Sequence, residues 1–423
     1  MQTGEPNAGG ARIIDSFLKG NLPILLIIIS LVAGAMALAL TPREEEPQIV
    51  VPLADIMVTY PGGSAQEVEQ MVSARLERLL YQIDGVEYVY SMSRPGMAVV
   101  TVRFFVGQGR EDSLIKLYNK LQQNIDQITP GIAGWVVKPI EIDDVPIVNV
   151  ALYSDRYDTH DLYRVAEEVV DKLQRVDDTA RITIHGGQKR VLHVYLNSER
   201  LTAYGLSARD IMGALQVSNV QMESGLFEQA NQQIRVESGP FLQTVDDVQD
   251  LLVGLYENRP VYLRDVADVS DGPEEIQWYS QFGFGPAGDP LSDGGGSVER
   301  LRTFNPEEFD ARTFPAVTIA VAKKKGSNAV WVARDIEKVM KDLQTTIIPD
   351  EIRYHITRNY GETANGKIND LVKSLGEAII SVILLIAIFM SWREGMVVAI
   401  AVPITYSITL LVNYLFGYTI NRV

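Results

Sequence analysis

Apolar residues gather in this chain in two different ways. In three places they run on without any charge: Leu22 to Leu40, Ala378 to Trp392 and Gly395 to Asn421. As a helix, the first would be roughly 28 Å long, against a hydrocarbon core of about 30 Å. The second extends backwards through Leu371, Leu375 and Gly376 at helical spacing. A charge at mid-bilayer costs about 2.5–3.5 kcal/mol on insertion scales, so each stretch predicts a membrane-spanning helix. Ala35-Met36-Ala37 resembles a cleavage site. The apolar run around it exceeds the roughly 7–15 residues of a signal peptide, which predicts a retained anchor.

Between the first two spans the apolar period alternates between 2 and 3.6. Ile56 to Tyr60 reads as a strand, and Pro61-Gly62-Gly63 turns the chain. Ser64 and Glu67 form a capping-box pattern ahead of Val68, Val72, Leu76, Leu79 and Leu80 at helical spacing. Strands at Val86–Tyr90 and Val99–Phe105 flank the turn Arg94-Pro95-Gly96. A helix through Leu114, Leu117, Leu121 and Ile125 follows, and Trp135–Ile140 closes the unit. The order β-α-β-β-α-β is the split βαβ, ferredoxin-like motif.

A second such unit reads as cut in two. Ile147–Tyr153, a helix through Leu162, Val169 and Leu173, and Arg181–His185 give its first half. Ala316–Ala322, a helix through Val332, Ile336 and Leu343, and Glu351–Thr357 give its second. Residues 191–270 form a separate module with a helix capped by Ser207 and Asp210 and a short arm, Phe227 to Arg235. Gln281 to Thr313, rich in Gly and Pro, reads as a flexible loop.

Charge sets the orientation. Arg12 and Lys19 precede the first span, and Glu44, Glu45 and Glu46 follow it. The N-terminus, residues 1–21, is therefore expected inside, and residues 41–377 outside. The second span returns, Arg393 and Glu394 form a tight inside turn, and the third span leaves again. The net charge of −16 argues against a nucleic-acid partner, because phosphate backbones need a basic face. The absence of cysteine excludes disulfides, thiolate metal sites and thiol catalysis.

Other chemistry is thin. Gly283-Phe-Gly285-Pro-Ala-Gly288 matches a dinucleotide fingerprint, but Pro286 falls inside it and Asp289-Pro290 follows, so no helix opens there. Gly361 to Lys367 matches the start of a phosphate loop, but Ile368 stands where Ser or Thr must bind magnesium. It reads as the loop entering the second span. His160, His185, His193 and His355 show no metal-ligand spacing, so neither a metal nor a cofactor is indicated. His185 ends a strand; a polar strand-end role and a cavity-facing role both stay open.

The whole arrangement resembles the N-terminal half of the resistance-nodulation-division efflux transporters, in their acriflavine-resistance branch. The segments "YPGGSAQEVEQMV", "IDGVEYVYSMS", "YNKLQQ", "LTAYGLSARDIMGALQVSN", "YLRDVADV", "KKKGSN" and "MSWREGMVVAIAVPITYSITLLVNYLFGYTIN" carry the likeness, in order along nearly the whole chain. The resemblance implies an α+β membrane protein. Span 22–40 leads to a first porter subdomain at 41–142. A second porter subdomain at 143–190 and 271–360 is interrupted by a docking subdomain at 191–270 and carries the insert 281–313. Spans at 371–392 and 395–417 complete it. It implies a non-enzymatic, proton-driven antiporter of a bacterial inner membrane, exporting amphiphilic or toxic compounds from the periplasm or outer leaflet. A homotrimer, a periplasmic adaptor protein and an outer-membrane channel are the implied partners.

By position, Ile147, Asn149 and His185 would line the substrate pocket, although the aromatic residues common there in drug exporters are missing. "GYTIN" leads in such transporters into a fourth span that carries the proton-accepting aspartates. The resemblance thus implies a fragment without that relay, with Arg422 at the interface before the next helix. A metal-ion exporter of the same superfamily and a non-transporting, membrane-anchored assembly or sensing module remain as alternatives.

Overall fold

A computed structural model describes residues 21–47, 49–127, 130–140, 144–218, 222–229, 232–238, 242–284 and 313–421. The expected inside segment with Arg12 and Lys19, the insert beyond Phe284, most of the Gly283–Gly288 match, and Arg422 lie outside these residues.

The chain begins with α1 (Leu22–Leu40), β1 (Arg43–Glu44) and β2 (Leu53–Thr59). Then comes α2, made of Ala65–Val68 and Ala74–Leu80 joined through a π-turn at Glu69–Ser73. It is followed by β3 (Val86–Arg94), β4 (Met97–Phe104), α3 (Arg110–Gln123) and β5 (Gly134–Ile140). Next are β6 (Val148–Tyr153), α4 (Thr159–Leu173), β7 (Thr179–His185), β8 (Arg190–Leu196), α5 (Ser198–Tyr204) and α6 (Ala208–Ser218). A hairpin, β9 (Met222–Gln229) and β10 (Gln232–Ser238), leads to α7 (Val245–Gln249), β11 (Leu252–Tyr256) and β12 (Arg259–Tyr262). After α8 (Leu263–Val266) come β13 (Ala267–Pro273), β14 (Gln281–Gly283) and β15 (Thr313–Lys323). The chain continues with α9 (Ala329–Thr346), β16 (Arg353–Asn359), α10 (Tyr360–Phe389), α11 (Trp392–Leu415) and β17 (Ile420–Asn421).

These elements form two units, one from the described residues of 1–152, 168–184 and 318–423, the other from those of 153–167 and 185–317. In the first, β3-β4-β2-β5 make an antiparallel sheet. Alternation along β2 and β4 sends Ala54, Ile56, Val58, Ala98, Val100, Val102 and Phe104 into one core, with Val68, Val72 and Leu80 of α2 and Leu117 and Leu121 of α3. The start of α2 is fixed by a reciprocal cap. Ser64 Oγ accepts from the Glu67 N–H, and the Glu67 carboxylate accepts from the Ser64 N–H at 2.8 Å.

A second sheet in this unit runs β7-β15-β6-β16. Val148, Val150, Leu152, Ile319 and Val321 of its strands are buried, as are Val169 and Leu173 of α4 and Ile336 and Met340 of α9.

Three helices, α1, α10 and α11, are long and apolar enough to cross a membrane. Lipid supplies no hydrophobic drive between helices, so close contact of small residues has to hold them. A Cβ placed on Gly34 of α1 would lie 2.3 Å from Ser407 Cβ of α11. Gly395 of α11 sits likewise against Ala387 of α10, at 3.1 Å. The hydroxyls of Ser381, Thr405 and Thr409 donate to carbonyls within their own helices, so no polar group is offered to lipid at those positions.

The structure corrects three details of the sequence reading. Gly361 to Lys367 is not a loop: Asn359 caps α10 through the Glu362 N–H, and the helix runs from Tyr360. The absent side chain of Gly361 permits that packing, because a Cβ there would stand 2.5 Å from Ala333 Cβ. The turn between the last two spans falls at Met390-Ser391, while Arg393 and Glu394 belong to the first turn of α11. Gln281 to Gly283 and Thr313 to Pro315, the ends of the expected loop, pair as antiparallel strands.

In the second unit, β8 pairs antiparallel with β13, and β11 with β12. Leu201, Ile211, Val248, Val261, Leu263 and Val266 share its core. The Arg190 guanidinium grips Asp271 with two nitrogens, at 2.9 and 2.5 Å, and holds that carboxyl below the usual aspartate range. The arm foreseen at Phe227 to Arg235 is the hairpin β9–β10, in register from Gln232↔Gln229 to Ser238↔Met222. Tyr153, Phe282, Phe284 and Phe314 form an aromatic cluster beside the β14–β15 ladder, with Tyr153 stacked on Phe282 at 4.4 Å.

Candidate functional site

Ile147 immediately precedes β6 and Asn149 is its second residue. The Ile147 N–H donates to Val321 O and its carbonyl accepts from the Tyr360 N–H, both at 2.8 Å. The first half of the second sheet is thereby held to β15 on one side and to the start of α10 on the other. Ile147 itself is buried. Asn149 is different: its Oδ1 is buried and has no hydrogen-bond partner among the described residues. A buried acceptor left empty costs about 1–3 kcal/mol, so this one is poised for a donor. His185 closes β7 with an exposed side chain and belongs to the second unit. The structure thus places Ile147 and Asn149 together and assigns His185 elsewhere.

A second constellation joins the ends of the membrane helices. Leaving α1, Thr41 Oγ1 donates to Ala37 O at 2.6 Å. The next residues form β1, which pairs parallel with β17 at the exit of α11: Arg43↔Ile420 and Glu44↔Asn421. Arg43 donates to Asn365 Oδ1 at 2.6 Å and to Asn369 Oδ1 at 3.3 Å, both on α10. Glu45 accepts from Thr363 Oγ1 of α10 at 2.9 Å. Glu44 accepts from Lys323 Nζ at the end of β15 at 2.6 Å, and from Thr419 Oγ1 at 3.1 Å. Both Glu44 and Lys323 are buried. The exit of α1, the entry of α10 and the exit of α11 therefore meet on one side, and a buried ion pair fastens them to the second sheet.

Sequence reading used Glu44, Glu45 and Glu46 only as flanking charge. The partners of Glu44 and Glu45 lie some three hundred positions away, and a Lys323 inside "KKKGSN" gives no local sign of being the buried one. The one available hint was a run of acids too close to a span to be freely solvated. Among the described residues no group of His, Cys, Asp or Glu could hold a metal ion.

A sequence profile of the AcrB/AcrD/AcrF family matches residues 14–288 and 305–423. Among curated proteins, the multidrug resistance protein MdtC of Yersinia enterocolitica is 23% identical over 403 residues, which is 94% of this chain and 36% of the relative. MdtC of an Enterobacter species is 24% identical over 404 residues, again 94% of this chain and 36% of the relative. The chain therefore spans about a third of the length of the curated relatives it matches.

Proposed function

Because the chain belongs to the AcrB/AcrD/AcrF family of resistance-nodulation-division permeases, we propose that it forms the membrane-anchoring and substrate-handling part of an inner-membrane efflux transporter. The observation that carries this reading is the family match across nearly the whole chain. The convergence of three helix ends on one side agrees with it, since the Glu44–Lys323 pair ties β15 of the second sheet to that same side. In this reading that side is the periplasm, and the Met390-Ser391 turn faces the cytoplasm. The first sheet with α2 and α3, and the second with α4 and α9, are two ferredoxin-like porter subdomains. The module from β8 to β13 is a docking subdomain. Working partners are two further copies in a homotrimer, a periplasmic adaptor and an outer-membrane channel.

The relatives are named multidrug resistance proteins, and the substrates proposed here are amphiphilic compounds taken from the periplasm or outer leaflet in exchange for protons. Protonation of an intramembrane carboxylate removes a charge that is costly in lipid, and so biases how the helices pack. The middle of α1, α10 and α11 offers apolar and hydroxyl side chains, so the proton-carrying carboxylates are placed outside these three spans. The buried link from Glu44 to Lys323 would carry a shift of α10 or α11 into β15. Ile147 and Asn149 are the proposed pocket residues, with the empty Asn149 Oδ1 accepting from a substrate N–H or O–H.

The test is dye accumulation in an efflux-deficient bacterial host expressing a complete permease that contains this chain together with the spans carrying the proton-accepting carboxylates; this chain expressed by itself should leave accumulation unchanged. With the complete permease, accumulation of an amphiphilic dye should fall, and a protonophore should restore it. Asn149→Leu should change which dyes are excluded. Accumulation that is unchanged by expression of the complete permease, or lowered equally with and without the protonophore, would contradict the proposal.

A further inference from the structure

The helix-covered face of the β3-β4-β2-β5 sheet is not filled throughout. Between α2, α3 and the sheet lies a cavity of about 490 Å³, within the roughly 300–1,000 Å³ of small-molecule sites. Ile56 and Val58 of β2 form its floor, Trp135 of β5 and Leu76 of α2 its walls, and Arg75 and Arg78 its mouth. None of the described lining residues is acidic, although the whole chain carries a net charge of −16. Two guanidinium groups over an apolar interior are therefore a local choice against the general charge of the protein.

The wall itself is unusual. Met71 and Val72 line the cavity from the π-turn of α2, Glu69–Ser73. A π-turn inserts one residue at the expense of regular hydrogen bonding, and such turns occur frequently at functional sites. Here the turn lies directly upstream of Arg75 and Arg78. It is also anchored: Ser73 Oγ and Ser93 Oγ of β3 lie 2.8 Å apart. Arg78 Nε donates to Ala74 O at 3.0 Å, which holds the side chain against its own helix. Its terminal nitrogens have no protein acceptor among the described residues. Gln82 and Asn124 add amides at the mouth, each tied to Lys120.

We propose that this cavity binds a single-chain anionic amphiphile, its acid head on Arg75 and Arg78 and its chain against Trp135, Leu76 and the β2 floor. The fork of a guanidinium fits a carboxylate or sulfate bidentately, while the apolar interior takes the chain. The site lies within one porter unit and is built from residues other than Ile147, Asn149 and His185. It stands whether or not the chain takes part in export. A free fatty acid and an acidic lysophospholipid could both supply this chemistry, and the test separates them.

The experiment uses the full chain in neutral detergent, with Trp278, Trp331 and Trp392 replaced by Phe so that Trp135 is the sole tryptophan of the four. The probe is 11-bromoundecanoate, whose bromine quenches indole fluorescence on contact. Saturable quenching is expected. Arg75→Ala/Arg78→Ala should weaken it by about tenfold or more, the worth of a lost charge-assisted contact, with the melting temperature unchanged. A bromoalkyl quaternary ammonium of equal length should not quench saturably. Leu76→Trp in the same background, with Trp135 also changed to Phe, should lower the affinity for laurate read by direct titration. Competition by laurate but not by lysophosphatidylglycerol would identify a free fatty acid, and the reverse a single-chain lipid; competition by neither would overturn the proposal. Non-saturable quenching, equal affinity in the double arginine variant, or equal binding of the cation would overturn the proposal.

Discussion

Lys323 Nζ stands 2.6 Å from Glu44 Oε1, with 279 positions of sequence between them and only 9% and 3% of the two side chains exposed. Removing one member of a buried pair leaves an uncompensated charge and costs about 3–5 kcal/mol. Lys323→Met should therefore lower the thermal stability of the detergent-solubilised protein sharply. Adding Glu44→Gln to that variant should recover much of the loss, since the stranded charge is gone. Two single losses that simply add would show that the side chains are not coupled.

The contact of Gly34 with Ser407 predicts a steric rule for the membrane helices. Gly34→Val would force Cβ into a space already taken at 2.3 Å. Overpacking of this kind costs about 1–3 kcal/mol. Gly376→Val on α10 is the control, because nothing lies within 4 Å of a Cβ there. The first variant should unfold at a lower temperature in detergent and the second should not.

Acid sensitivity should concentrate at helix starts. Hydrogen bonds from Ser64, Ser207 and Thr244 hold Glu67, Asp210 and Asp247 below their ordinary values of 4.5, 3.8 and 3.8. A carboxyl depressed in the folded state stabilises above its unfolded value, and that stability is lost as pH falls through the lower, folded value. The contribution is therefore complete at pH 7 and fades below about pH 4. Ser207→Ala should lower the melting temperature at pH 7, and the gap to the parent should narrow at pH 3. A gap that is the same at both values would show that the Asp210 hydrogen bonds do not contribute.

Local signals made much of the fold legible. Charge-free runs marked α1, α10 and α11, because lipid tolerates little else. The Ser64–Glu67 spacing marked the start of α2, because that cap closes within four residues. Features that depend on distant partners were not legible. Gly361 looked like a loop residue in "GETANGK" because its reason for being small is Ala333, a neighbour only after folding. The π-turn has no local signature in "EQMVS", and the burial of the empty Asn149 Oδ1 exists only once the chain has folded. Asn149 and Ile147 were reached through resemblance, and both fall at the entrance of β6. That His185 belongs to the other unit could not be read from its place at the end of β7.

The proposed orientation has both sheets on one side of the membrane and the Met390-Ser391 turn on the other. The chain has no cysteine, so single cysteines can report this directly. Gln66→Cys at the start of α2 and Glu394→Cys at the start of α11 both place the thiol on an exposed position. Intact cells would be treated with a membrane-impermeant maleimide, then compared with permeabilised cells. Gln66→Cys should label in intact cells, and Glu394→Cys only after permeabilisation. Labelling of Glu394→Cys but not Gln66→Cys in intact cells would contradict the orientation and everything derived from it.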